Sequence, residues 1–246
     1  DLDGLIAQHN QTLPPTPNHA GRTLEKDKGH VFMHQYENDT VAIVERLQEL
    51  ARDGVSGHGP AVERWLDETT LKVDDDSKKS ALKSLFARSR VALIYGAAGT
   101  GKSTMVNYIA NYLGDSSKLF LAHTNPAKAN LERKVVAQNA EFRTIASHLG
   151  RGRSSYDVLV IDECSIVSNA DMLKVLGGTN FQLLVLVGDV FQIEAIQFGN
   201  WFSIAPDFLP KQAVFQLIKP WRTDDEALLD FWGKVRNLED GIEEAI

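Results

Sequence analysis

Gly96-Ala97-Ala98-Gly99-Thr100-Gly101-Lys102-Ser103-Thr104 sets Gly96 and Gly101 with four residues between them and follows them with Lys-Ser. This is the spacing with which a backbone curls its N–H groups around a phosphate, because glycine tolerates the left-handed angles the curl needs. A helix starting near Lys102 would aim its positive dipole end at the same anion. Lys102 could reach the β- and γ-phosphates, and the Ser103 hydroxyl could ligate Mg²⁺. Two further acids, Asp162 and Glu163, end the apolar run Val158-Leu159-Val160-Ile161. Adjacent carboxylates on such a run are costly unless a cation or donors meet them. Asp162 suits the Mg²⁺, directly or through water, and Glu163 suits deprotonation of an attacking water. Gly188-Asp189-Val190-Phe191-Gln192 follows another apolar run, and the Gln192 amide could sense a γ-phosphate or hold the water. Arg222, after Pro220, is open to two readings: a phosphoryl-contacting arginine or a surface one. Together these residues imply Mg-ATP as the ligand.

The elements that must position these groups can be read from periodicity. Val91–Tyr95 is a strand before the glycine loop, and Thr104–Leu113 a helix after it. Strands are expected at Lys118–Ala122, Val158–Ile161, Leu183–Val187 and Ala213–Leu217. Helices are expected at Ala127–Gln138, Ala170–Leu176 and Asp224–Leu238. The alternation predicts an α/β fold, a parallel sheet with helices on both faces, and ligands at the carboxyl ends of its strands. Upstream, residues 1–30 read as extended or poorly ordered. Gln35–Arg52 reads as a helix with Val41, Val44, Leu47, Gln48 and Ala51 on one side, Gly54–Pro60 as a loop, Ala61–Leu66 as a short helix and Lys78–Arg88 as another. The division is thus a partly extended, then helical accessory segment over residues 1–76 and an α/β nucleotide-binding domain over 77–246.

Composition narrows the classes. The 246 residues carry a formal net charge of -7, which argues against polyanion binding through bulk charge but leaves room for a local basic groove. One cysteine excludes internal disulfides and fits a reducing cytoplasm. No apolar run is long enough to span a membrane, and the N-terminal residues do not resemble a secretory signal. The seven histidines show no ligand spacing; His30 and His34 stand four apart with no third ligand evident, so no structural metal is expected.

The stretches GAAGTGKST, AHTNPAKANL, FRTIASHL, VIDECSIVS, LVGDVFQIEAI and LIKPWRTDDEALL, in this order, resemble the first motor domain of superfamily 1 DNA helicases, the RecD-like branch above all. The resemblance covers about Ser77 to Leu238. It implies a RecA-like P-loop NTPase fold in which the strand before Asp189 lies between those leading to the phosphate loop and to Asp162. It implies phosphate and Mg²⁺ binding by residues 96–104, with Ser103 and Asp162 on the metal. It makes Lys102, Glu163, Gln192 and Arg222 the catalytic set, Arg222 contacting the γ-phosphate from within this domain. It places Thr124, Asn125, Lys128, Thr144 and Ser147 against a single strand of DNA, or of RNA. The partners implied are that strand and a second motor domain outside this chain, without which nucleotide binding with weak hydrolysis is expected. The chain also lacks an initiator Met and reads as a fragment.

Departures from the family pattern accompany the match. The adenine-reading glutamine upstream of the loop has no counterpart near Asp76-Ser77-Lys78-Lys79. Glu194 puts a negative charge where a strand would pass, and Ala146 replaces a frequent histidine, with His148 two positions later. Asn125-Pro126 fits a helix start as well as a strand contact. Trp201, Phe202 and Trp221 fit either base stacking or a core, and Arg151-Gly152-Arg153 a solvated loop or a backbone contact. A phosphate-loop ATPase whose nucleotide state switches a protein partner, moving on no strand, is the alternative reading.

Overall fold

The computed structural model describes residues 1–16, 19, 21–73, 75–97, 99–189 and 199–217. The N-terminal stretch is not extended: Leu2–Thr12 forms a helix (α1), capped by the Asp1 carboxylate, which accepts from the Asp3 N–H. Periodicity could not reveal it, since α1 buries none of its side chains and is set by its cap and by packing on the next element. A hairpin follows, Leu24–Asp27 (β1) with His30–Met33 (β2), antiparallel. Its two turn residues, Lys28 and Gly29, both take positive φ (48° and 86°), the twist a two-residue hairpin turn requires.

His34–Leu50 (α2), His58–Glu68 (α3) and Asp76–Ser84 (α4) precede the sheet. The face of α2 turned inward is Ile43, Val44, Leu47 and Leu50, while Val41 is exposed. The expected loop ends earlier, because Gly59 and Pro60 belong to the first turn of α3, where a missing N–H costs no helical bond.

Strands and helices then alternate: Val91–Gly96 (β3), Lys102–Tyr112 (α5), Lys118–Ala122 (β4) and Asn125–Lys134 (α6), where expected, followed by Ala140–Thr144 (β5) and Ile145–Leu149 (α7), which were not. Then come Ser154–Ser155 (β6), Val158–Ile161 (β7), Asn169–Gly178 (α8), Thr179–Asn180 (β8), Leu183–Gly188 (β9), Trp201–Phe208 (α9) and Val214–Leu217 (β10). The six-stranded sheet has the order β10-β3-β9-β7-β4-β5, and each neighbouring pair is parallel. The strand before Asp189 lies between those leading to the phosphate loop and to Asp162, as the resemblance implied. β5 went unread because it is an edge strand of mixed polarity, Ala-Glu-Phe-Arg-Thr. The expected helix at 224–238 lies outside the described residues.

Strand side chains alternate between two cores, as the period of two demands. Leu93, Leu119, Leu121, Leu159, Ile161, Leu184 and Leu186 meet Ile43, Leu47 and Leu50 of α2, Met172 and Val175 of α8, and Trp201 and Phe202 of α9. Ile94, Phe120, Val158, Val160, Val185 and Val187 meet Val62 of α3, Leu82 of α4, Met105, Val106 and Ile109 of α5, and Leu131 of α6. Helices therefore cover both faces. Trp201 is fully buried, with its indole N–H donating to the Val167 carbonyl at 2.9 Å, and Phe202 is buried beside it. Neither ring is available to stack on a base. Gly188 shows why: a Cβ there would stand 2.5 Å from the Phe202 ring, so the end of β9 and the start of α9 are in direct contact. Among the described residues, no helix is long and apolar enough to cross a membrane.

Candidate active site

β3, buried along its whole length, delivers the chain to Gly96. A Cβ at Gly96 would stand 2.3 Å from the Thr100 hydroxyl and 2.9 Å from the Leu217 carbonyl, so no other residue fits. Gly99 and Gly101 take φ of 87° and 89° and turn the chain back into α5 at Lys102. Buried Thr100 staples the loop by donating its hydroxyl to the Ala97 carbonyl at 2.9 Å. The Lys102 ammonium donates to the Gly96 and Ala97 carbonyls at 2.6 and 3.0 Å, which holds the cation against the loop. Ser103 is half-buried and Thr104 exposed in the first turn of α5, where backbone N–H groups have no helical acceptor. Ala98 lies outside the described residues.

Two strands away, β7 ends and the Asp162 and Glu163 side chains stand half-buried. Asp162 Oδ1 accepts from the Glu163 N–H at 3.0 Å. Burial pushes the Asp162 carboxyl above its usual value, against that hydrogen bond and the charges of Lys102 and Lys134. Glu163 is pushed up by burial and by Asp162, against His123 and Lys102. Its backbone is left-handed, φ 57°, an uncommon conformation for a residue with a Cβ. Such a departure accumulates where a side chain has to be aimed. Cys164 next to it is fully buried, its thiol bonded to the Ile161 carbonyl at 3.2 Å, so it packs rather than reacts. His123 was not singled out in the sequence; the available signal is its place immediately after the buried strand β4.

The acids give a testable linkage. A carboxyl whose pKa is raised on folding keeps its proton in the native state after the unfolded chain has lost it. Stability therefore falls as pH rises from about 3.8, the ordinary Asp value, through the raised Asp162 value, and the deficit persists above it. In EDTA without nucleotide, Asp162→Asn should raise the melting temperature at neutral pH by about 2–4 °C. The difference should vanish near the acid end of that window. Equal melting temperatures at neutral pH would remove the argument.

Asp189, half-buried, follows β9 between these two groups. Gln192, Glu194, Trp221 and Arg222 lie outside the described residues.

The segments expected to touch a strand are brought to one end of neighbouring strands, since Ala122 of β4 pairs with Thr144 of β5. Thr124 caps α6, its hydroxyl accepting from the Ala127 N–H at 3.2 Å, and Pro126 stands in the first turn. The cap is thus Thr124 rather than Asn125, which leaves the exposed Asn125 side chain out of the capping bond. Thr144 caps α7 in the same way, accepting from the Ser147 N–H at 3.2 Å. Ser147 is exposed and Lys128 half-buried. His148 is buried, its Nε2 within 2.7 Å of the Thr179 hydroxyl, and so ties α7 to β8. Arg151 and Arg153 are exposed on either side of Gly152.

Comparison with known proteins agrees with the fold. The AAA domain family matches residues 75–244, more than two thirds of the chain. An uncharacterized protein of Methanocaldococcus jannaschii is 23% identical over 186 residues, 63% of this chain and 16% of its own length. A probable conjugal transfer protein TraA of Sinorhizobium fredii is 26% identical over 159 residues, 61% of this chain and 14% of its own. The chain thus spans about a sixth or less of these curated relatives. A solved structure concerning DNA unwinding at forked duplex DNA by two coordinating Pif1 helicases superposes with a TM-score of 0.51 at 18% identity. That match covers 71% of this chain and 50% of the other, and it shows the shared RecA-like P-loop NTPase fold.

Proposed function

Because the chain belongs to the AAA domain family, we propose that it is the first motor domain of an ATP-dependent helicase or translocase acting on single-stranded DNA. One observation carries this reading: the phosphate loop and the Asp162–Glu163 pair lie at the carboxyl ends of the central strands β3 and β7, close enough for the Lys102 charge to act on both acids. A nucleoside triphosphate cradled by residues 96–104 would place its γ-phosphate near Lys102. Ser103 and Asp162 fit a Mg²⁺ ion, which would neutralise charge on the β- and γ-oxygens. Glu163 then takes the proton of the attacking water, Gln192 reports the γ-phosphate, and Arg222 stabilises charge on the transferred group. Thr124, Asn125, Lys128, Thr144 and Ser147 form the strand-facing edge. A second motor domain in the whole protein would close the cleft over the nucleotide. The motif order supports the RecD-like branch, and the boundary between residues 76 and 77 divides accessory segment from motor.

The test is ATP hydrolysis by the full-length protein with and without single-stranded DNA. Stimulation by DNA is expected. Turnover indifferent to any nucleic acid would replace this reading with a nucleotide-controlled switch acting on a protein partner.

A further inference from the structure

His34 has partners that spacing between histidines could not reveal. Glu25 on β1 and His34 and Glu37 in the first turn of α2 offer ligand atoms that all lie within 4.8 Å of one another. His34 Nδ1, sealed from solvent, stands 2.7 Å from Glu25 Oε1, an ion-pair contact when the imidazole is protonated. A divalent ion bound there would replace the proton between them, since a ligating imidazole must be neutral.

The scaffold holds them in place. The His34 and Gln35 N–H groups donate to the Thr23 and Gly21 carbonyls, each at 2.9 Å, which fixes the start of α2. Asn10 of α1 bonds both backbone groups of Leu24, at 2.9 and 2.8 Å, and Lys26 pairs with Asp3 at 2.8 Å. Glu25 is therefore flanked by two anchored residues. The ligands come from two elements nine and three residues apart in sequence, so closing a metal between them would clip the hairpin to α2. That helix in turn packs under the sheet through Ile43 and Leu47.

We propose that Glu25, His34 and Glu37 bind a divalent transition-metal ion of the Zn²⁺ class. The imidazole disfavours Mg²⁺ and Ca²⁺, which prefer all-oxygen shells. Three protein ligands leave a tetrahedral position for water. The site shares no residue with the phosphate loop and stands independently of the proposed helicase activity.

Isothermal titration of the metal-stripped chain with ZnCl₂ tests it. One saturable site in the micromolar range or tighter is expected, weakened at least about tenfold in His34→Gln and in Glu37→Gln. The His30→Gln variant, which alters an exposed neighbouring histidine, should titrate like the parent. Circular dichroism checks that each variant is folded; if His34→Gln is not, Glu37→Gln decides. Absence of micromolar binding, or folded variants of His34 and Glu37 that bind as the parent does, would overturn the site.

Discussion

Replacing Glu163 with glutamine should lower DNA-stimulated ATP turnover by the full-length protein about 10²–10⁴-fold while nucleotide is still bound. The substitution keeps the side chain's size and its place on the left-handed turn after β7, and removes only the ability to accept a proton. The phosphate loop, Lys102 and Asp162 are untouched, so binding of a fluorescent ATP analogue should be preserved. The pH profile sharpens the test. Burial and the neighbouring Asp162 both raise the Glu163 carboxyl, so its charged, proton-accepting form is lost on acidification sooner than for an ordinary glutamate. The acidic limb of kcat should therefore lie above pH 4.5, the unperturbed glutamate value, and be absent from the residual activity of the variant. Parent-like turnover in Glu163→Gln would remove Glu163 from the role of base. Loss of nucleotide binding in the same variant would make its role structural.

What the sequence made legible and what it hid divide along physical lines. β3, β7 and β9 are apolar on both faces, so they read as buried strands without reference to any partner, and the groups that follow each of them were found with them. The phosphate loop declared itself because its geometry demands particular residues: no side chain larger than hydrogen fits at Gly96. Elements set by their surroundings were harder to see. α1 exists through its Asp1 cap and the Asn10 contacts to β1, neither visible as periodicity. β5 carries a glutamate and an arginine because it is an edge, and an edge strand looks like a loop in composition. Trp201 and Phe202 fitted either stacking or a core by type, and only the fold decides for the core. The Glu25–His34–Glu37 group was hidden for the same reason: a motif search follows spacing along the chain, whereas this cluster is joined by the register of a hairpin against a helix.

In the proposed mechanism Arg222 completes the catalytic set, and Arg222→Ala should then lower turnover about 10³–10⁵-fold. β10 pairs with β3 so that Leu217 lies opposite Gly96. The Leu217 carbonyl is within 2.9 Å of the position a Cβ on Gly96 would take, so the chain leaves β10 at the margin of the phosphate loop. Arg222 follows five residues later, a span of at most about 17 Å of extended backbone, and its long side chain adds to that reach. A guanidinium delivered there would meet charge that grows on the γ-phosphoryl oxygens only as the bond to the β-phosphate breaks. It would stabilise the transition state more than bound ATP, so kcat should fall while nucleotide affinity changes little. Arg222→Lys, which keeps the charge but loses the planar fork, should recover only part of the rate. If Arg222→Ala instead weakened nucleotide binding and left kcat intact, the residue would hold the ground state alone. If neither parameter moved, the arginine stabilising this reaction would have to come from elsewhere, the second motor domain of the whole protein being the first place to look.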